Sequence, residues 1–97
     1  MISLGNRNNQ GAIEITFSLN AKANSEVFLA GSFNDWDSNS TQMLLNEQTG
    51  NYETVLLLQP GYYEYKFIIN GSWILDETNP NFAANDFGTL NSVLNLE

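Results

Sequence analysis

The sequence predicts an all-β protein, an antiparallel β-sandwich of immunoglobulin-like type. Three observations lead to this prediction. Apolar and polar residues alternate with a period of two through most of the chain, which is the pattern of half-buried strands. Turn residues separate these stretches, and no window has helical periodicity. About seven short strands in a chain of 97 residues are typical of a two-sheet sandwich.

The first predicted strands lie in the N-terminal half. Residues 13–19 alternate apolar with polar side chains and predict a strand with one wet face. Residues 26–31 predict a second strand, and the composition of residues 34–41 predicts a loop. A turn at residues 49–51 then precedes a third strand at residues 52–58.

The C-terminal half contains the clearest hairpin. Residues 62–69 predict a strand, and Asn70-Gly71 is the strongest short hairpin signal known. Residues 72–75 are the expected return strand. A polar stretch at residues 76–86 precedes a last short strand around residues 93–96.

A single module is expected over residues 1–97, and we expect it to be a monomer. No internal repeat, low-complexity segment or linker divides the chain, and a chain of this length builds one core. Residues 1–10 have no strand pattern, so we expect a loose N-terminal segment there. Residues 96–97 are interpreted as a cloning remnant.

Composition excludes several classes of function. The net charge is −8, with 11 acidic against three basic residues, and such a surface repels phosphate backbones, so we expect no nucleic-acid partner. Cysteine and histidine are absent; without these common ligands we expect no metal and no cofactor. No apolar run approaches the roughly 20 residues of a membrane helix, so we expect no membrane partner. No signal peptide opens the chain, and a cytoplasmic location is favoured.

The two tryptophans are the most informative residues of the chain. Trp36 closes the segment GSFNDW, and Trp73 follows the Asn70-Gly71 turn. Tryptophan presents a large, flat and rigid apolar face, which suits the C–H face of a pyranose ring. The pair therefore predicts a sugar-binding surface if both rings face outward.

The register of the hairpin predicts that Trp73 does face outward. With Asn70-Gly71 as the turn, Trp73 pairs with Ile68. Cross-strand partners share a face, as do residues two apart on one strand, so Trp73 is expected roughly 7–8 Å from Lys66 on that face. The residues of the opposite face are apolar and are expected to form the core: Tyr63, Tyr65, Phe67 and Ile74.

Three segments, in this order, resemble a known family. They are residues 31–36 (GSFNDW), 63–73 (YEYKFIINGSW) and 87–91 (FGTLN). The chain resembles the family 48 carbohydrate-binding modules, and especially the glycogen-binding domain of AMP-activated protein kinase β subunits, from about residue 13 to 96. This resemblance implies an early-set immunoglobulin-like sandwich that binds α-1,4-linked glucans such as glycogen, starch, maltooligosaccharides and cyclodextrins.

The resemblance also implies six carbohydrate-binding positions. Two match the family's stacking tryptophans, and three match polar side chains that contact sugar hydroxyls or rings. One stands where the kinase-associated modules carry a leucine that enters the concave side of the glucan. In this order they are Trp36 and Trp73, then Lys66, Asn91 and Thr89, then Phe87.

The residues alone leave other roles open for some of these positions. Trp36 suits a loop anchor folded onto the core equally well, and Phe87 suits a plug at one end of a sandwich. Asn91 suits turn chemistry, and Thr89 has good β-propensity. Tyr62 suits either an extension of the aromatic platform or a cap on the end of the sandwich.

Three other functions compete with glucan binding. Asp35 and Asp37 bracket Trp36, but carboxylates two residues apart do not flank a glycosidic bond as hydrolysis requires, so we expect no catalysis by this chain. The same aspartates imitate the start of an EF-hand loop, but Ser40 stands where glycine is needed. The alternative is a sugar-silent module that docks on an attached or associated partner, such as a glucan-processing enzyme or a kinase.

Overall fold

The computed structural model describes residues 1–97, which form nine strands and one short 3-10 turn at Ser32–Asn34. The all-β prediction is confirmed, and no helix here has the length and apolar character that crossing a membrane requires. The strands are β1 Ile2–Arg7, β2 Ile13–Asn20, β3 Val27–Gly31, β4 Gln42–Asn46, β5 Asn51–Leu58, β6 Gly61–Ile69, β7 Ser72–Ile74, β8 Phe82–Ala84 and β9 Leu90–Leu96.

The strands pair antiparallel in the order β1-β2-β5-β4-β3-β6-β9-β8, and β7 pairs with β6. β4 pairs with both β5 and β3, so it joins a half made of β1, β2, β5 and β4 to a half made of β3, β6, β9, β8 and β7. Both halves contribute to one core, because the sheet curls over itself. The finer immunoglobulin-like topology stays a prediction.

Aromatic rings fill the centre of this core. Phe17 from β2 meets Tyr65 from β6 edge-on, with ring centroids 5.1 Å apart, and Phe33 lies 5.7 Å from Phe17. Phe17 and Tyr65 are fully buried. The period of two therefore places the core where the sequence predicts it, on one face of each strand. The remaining core residues are Ile13, Ile15, Val27, Leu29, Met43, Tyr52, Leu58, Phe67, Leu94 and Leu96.

Three elements differ from the sequence prediction. Residues 2–7 form strand β1 on the edge of β2, where the sequence predicts a loose segment. Only Ile2 of this strand is partly buried. The strand therefore pairs through its backbone, and its side chains do not alternate in a way that would predict the pairing. β4 and β8 are likewise short strands within stretches without a strand pattern. Leu96, interpreted as part of a cloning remnant, is 5% exposed and packs in the core.

A buried polar cluster attaches the connection between β7 and β8 to the core. The Tyr65 hydroxyl donates to Asp76 Oδ2 at 2.7 Å, and the Thr78 hydroxyl donates to Asp76 Oδ1 at 2.7 Å. The backbone N–H of Asp76 donates to Ser92 Oγ at 3.0 Å. Asp76 is only 2% exposed, so the hydroxyl groups of Tyr65 and Thr78 replace the water that its carboxylate loses.

The environment of this cluster shifts two pKa values. Burial raises the pKa of Asp76, but the hydrogen bonds from Tyr65, Thr78 and the amino group of Met1 outweigh burial, so the pKa lies below its ordinary value. Burial, together with the hydrogen bond to Asp76, raises the pKa of Tyr65 far above its ordinary value. Tyr65 is therefore a hydroxyl donor and Asp76 a charged acceptor at neutral pH.

Candidate functional site

The β6–β7 hairpin holds Trp73 on the outer face of its half. Asn70 and Gly71 both have positive φ, at 49° and 85°, as a two-residue turn of type I′ requires. Trp73 pairs with Ile68, and this predicted register is confirmed. The indole is 46% exposed, so Trp73 faces outward and is not part of the core.

Outward-facing residues of β6 form a row beside Trp73. Successive side chains of a strand point to opposite faces, and here Tyr65 and Phe67 point inward and are fully buried. Tyr62 is exposed, while Glu64 and Lys66 are half-buried. The row of Tyr62, Glu64 and Lys66 therefore forms the floor of the surface that also carries Trp73.

Trp36 reaches this surface from the loop that follows β3. Its backbone N–H donates to the carbonyl of Gly31 at 2.9 Å. Asp35 and Trp36 both have left-handed backbones, with φ of 56° and 59°. Such non-glycine residues cost about 1–3 kcal/mol each and are concentrated at functional sites. Phe33 packs against the core, so Phe33 anchors the loop and Trp36 lies half-buried at the surface.

Gly31 makes the close approach of this loop to β6 possible. A Cβ atom at this position would lie 2.6 Å from the carbonyl oxygen of Glu64 and 2.7 Å from the ring of Phe33. Both distances are too short for any side chain. Because the glycine lets the two backbones meet, the Trp36 loop lies directly against the outer row of β6.

Asn85 organises the loop between β8 and β9. Its Nδ2 donates to Thr89 Oγ1 at 2.7 Å and to Asn91 Oδ1 at 3.0 Å. Its Oδ1 accepts from the backbone N–H of Phe87 at 2.9 Å and of Thr89 at 3.1 Å. The loop therefore holds Phe87 at its tip, where the ring is 90% exposed. This exposure is incompatible with a plug at the end of the sandwich.

A continuous chain of hydrogen bonds links this loop to β6. Lys66 Nζ donates to Thr89 Oγ1 at 3.1 Å, and Asn91 Nδ2 donates to Glu64 Oε1 at 3.0 Å. The Tyr62 hydroxyl donates to Glu64 Oε2 at 3.1 Å. Desolvation and the neighbouring Glu64 raise the pKa of Tyr62. In order along the chain, the linked side chains are Lys66, Thr89, Asn85, Asn91, Glu64 and Tyr62.

All six sequence-predicted site residues line one open groove with a volume of about 830 Å³. Sequence reasoning did not identify the residues that hold them in place, because these act through partners distant in the chain. Asn85 alone left a local trace, as a turn-forming residue before Phe87-Gly88. The other residues that line the groove are Ser32, Tyr62, Glu64, Ala84, Asn85 and Asp86.

The chemistry of this groove combines flat apolar faces with polar groups at their edges. The aromatic rings of Trp36 and Trp73 offer stacking surfaces. Lys66 offers donors and Glu64 offers acceptors between them. Asn91 is only 7% exposed, and its amide already bonds to Asn85 and Glu64. No group of three or more acidic side chains is arranged to hold a metal ion. The arrangement matches a ligand with apolar ring faces and a rim of hydroxyl groups.

Comparison with known proteins gives a consistent set of matches. A family described as the glycogen recognition site of AMP-activated protein kinase matches residues 13–97. The kinase β-2 subunits of mouse and of human are each 33% identical over 72 residues, 74% of this chain and 25% of each relative. The β-1 subunit of pig is 32% identical over 72 residues, 74% of this chain and 55% of that protein. The chain thus spans about a quarter of the β-2 relatives that it matches.

Proposed function

The chain belongs to the family of glycogen recognition sites of AMP-activated protein kinase, and we propose that it binds α-1,4-linked glucans without acting on them chemically. The observation that carries this proposal is the groove that gathers Trp36, Lys66, Trp73 and Asn91 on one face. Ligands of this class are glycogen, starch, maltooligosaccharides and cyclodextrins. Their rings present the apolar faces and hydroxyl rims that the groove suits.

Stacking on the two tryptophans supplies most of the contact area in this mechanism. Each indole has only two rotatable bonds, so ordering it costs little side-chain entropy. Trp36 is further restrained by its half-buried loop. Two rings in one groove select a ligand by its curvature. A helical α-glucan meets both rings at once, whereas a flat β-glucan does not.

Polar side chains between the rings fix the orientation of the sugar. Lys66 and Asn91 contact hydroxyl groups. The bond from the neutral amide of Asn91 contributes about 0.5–1.5 kcal/mol net, and the bond from the charged Lys66 about 1.5–3 kcal/mol. The hydrogen bonds from Lys66 to Thr89 and from Asn91 to Glu64 hold these side chains before the ligand arrives. The groove is therefore preformed, and few side chains need to be ordered when the ligand binds. Affinity in an open groove is expected at roughly micromolar to millimolar levels.

A titration followed by tryptophan fluorescence tests this function. The ligands are β-cyclodextrin and maltoheptaose, with cellohexaose as the β-linked control. We expect saturable quenching by the two α-linked ligands alone. No response to any of the three, or an equal response to cellohexaose, would contradict the proposal.

A second function, docking on a partner, is favoured by the opposite half of the molecule. Leu44, Val55 and Leu57 lie on the outer face of β4 and β5 and are 67%, 54% and 60% exposed. Contiguous exposed apolar side chains often mark interaction surfaces. The relatives are kinase subunits of which this chain spans a part, so we propose a kinase or glucan-processing enzyme as the partner.

Binding to an isolated kinase catalytic subunit, measured by calorimetry, tests this second function. Val55→Ser is expected to weaken the association and to leave glucan binding unchanged. Association that is absent, or unaffected by this change, would reject docking of a kinase through this face. A domain that binds the kinase subunit but none of the glucans would fit the sugar-silent alternative.

A further inference from the structure

Aromatic surface extends beyond the two tryptophans along β6. Trp73 stands opposite Ile68, and Tyr62 lies six residues away on the same strand face. At about 3.3 Å per residue, this separation is roughly 20 Å. Glu64 and Lys66 occupy the positions between. The groove floor is therefore an elongated row that is bounded by an aromatic residue at each end.

Apart from the hydrogen bond of its hydroxyl to Glu64, Tyr62 has no structural task that would explain its position. Its side chain is 56% exposed and lines the groove, and its cross-strand partner Asn95 is exposed as well. The neighbouring Tyr63 packs against the core and donates to the carbonyl of Gln59 at 2.7 Å. Tyr63 thus caps this end of the sandwich, which leaves Tyr62 free for a ligand.

The ring of Tyr62 is held in place, as a stacking surface requires. Its hydroxyl donates to Glu64 Oε2 at 3.1 Å, while Glu64 Oε1 accepts from Asn91 at 3.0 Å. The backbone N–H of Glu64 donates to Ser32 Oγ at 3.1 Å. A carboxylate has about four acceptor positions, and the side-chain bonds occupy two of them. Glu64 therefore retains acceptor capacity for the hydroxyl groups of a sugar.

We propose that Tyr62 forms a third aromatic subsite of the groove and that Glu64 accepts sugar hydroxyls between Tyr62 and Lys66. This inference rests on the proposed glucan binding and extends it to the length of glucan that the site prefers. A short oligosaccharide reaches only the tryptophans and Lys66. A longer chain also covers Tyr62, so affinity rises with chain length until this subsite is filled.

Calorimetric titration with linear maltooligosaccharides, from maltotriose to maltodecaose, tests the subsite. Tyr62→Ala is expected to weaken the longest ligands about three- to tenfold, which is the range for one aromatic contact, and to leave maltotriose within about twofold. Tyr62→Phe keeps the ring but loses the hydroxyl bond to Glu64, so its affinity for long chains is expected to lie between those of the wild type and Tyr62→Ala. Phe82→Ala is the matched control, because Phe82 is also 56% exposed but does not line the groove.

Two patterns would overturn the subsite. In one, Tyr62→Ala leaves the dependence on chain length unchanged. In the other, it weakens maltotriose and maltodecaose by the same factor, as a general disturbance of the fold would do. The wild-type protein reports separately on the proposed function: if it binds every member of the series, only the subsite is at stake. If it binds none, glucan binding itself has failed and the subsite with it.

Discussion

Trp73 is the residue on which the proposed glucan binding depends most directly. We expect Trp73→Ala to abolish measurable binding of β-cyclodextrin, because in the proposed mechanism the ring supplies one of two stacking surfaces. The side chain is 46% exposed, so its removal is expected to lower the free energy of unfolding by about 1–2 kcal/mol, less than the roughly 3–5 kcal/mol of a fully buried tryptophan. Calorimetric titration and thermal unfolding measure the two effects. Leu57→Ala, a change of a similarly exposed side chain on the opposite half, is the control for binding. A large loss of stability in Trp73→Ala would identify the indole as a structural residue.

Asp76 makes the stability of the protein depend on pH. Its pKa in the folded state lies below the ordinary value, so its ionised form stabilises the fold. This contribution is complete above the unfolded pKa of about 3.9 and is lost as the pH falls through the lower folded pKa. Asp76→Asn is expected to cost about 1–3 kcal/mol at neutral pH, and the difference from wild type should shrink in acid. Urea unfolding of both proteins from pH 7 to pH 2 measures this, and parallel profiles would refute it.

At the scale of elements, the loop between β8 and β9 depends on one amide. Asn85→Ala removes two side-chain donor bonds and two acceptor bonds that hold Phe87, Thr89 and Asn91. We expect the affinity for maltoheptaose to fall about tenfold, since the loop must then be ordered by the ligand. Asn81→Ala is the matched control, because Asn81 is an exposed asparagine outside the groove. Calorimetry gives both affinities, and equal affinities for the two variants would contradict a positioning role for Asn85.

The elements that sequence predicts well are those with one buried face. β2 and β6 alternate between apolar and polar side chains over most of their length, and the turn at Asn70-Gly71 sets the register that turns Trp73 outward. β1 and β8 are edge strands whose side chains are mostly exposed, so nothing in their sequence marks the pairing. The hydrogen bonds that hold the site residues in place are equally hard to predict from the sequence. Glu64 and Asn91 are 27 residues apart, and only the pairing of β6 with β9 brings them together.

At the scale of the whole molecule, charge is expected to matter little for ligand binding. The net charge is −8, but an α-glucan is neutral and releases no counterions. We therefore expect the affinity for maltoheptaose to change less than about twofold between 0.05 and 0.5 M salt, a range over which the Debye length falls severalfold. Calorimetry at the two salt concentrations measures this. A steep decline of this affinity with salt would mean that charged groups dominate binding, which a neutral glucan does not explain.

The core supports the proposal that one module fills residues 1–97. Strands of both halves contribute side chains to it, from Ile13 on β2 to Leu96 on β9. Neither half has a separate core. The two halves should therefore unfold together, and the groove exists only while both are folded.

The placement of the groove on one half has a consequence for a polymer with many binding positions. If the groove binds one chain of such a polymer, the outer face of β4 and β5 points away from the polymer. A partner protein bound to that face would stay near the surface of the glucan polymer. There, when one glucan chain leaves the groove, a neighbouring chain can take its place at once. Weak contacts then suffice, because repeated capture at high effective concentration lengthens the stay of the module without strengthening any single contact.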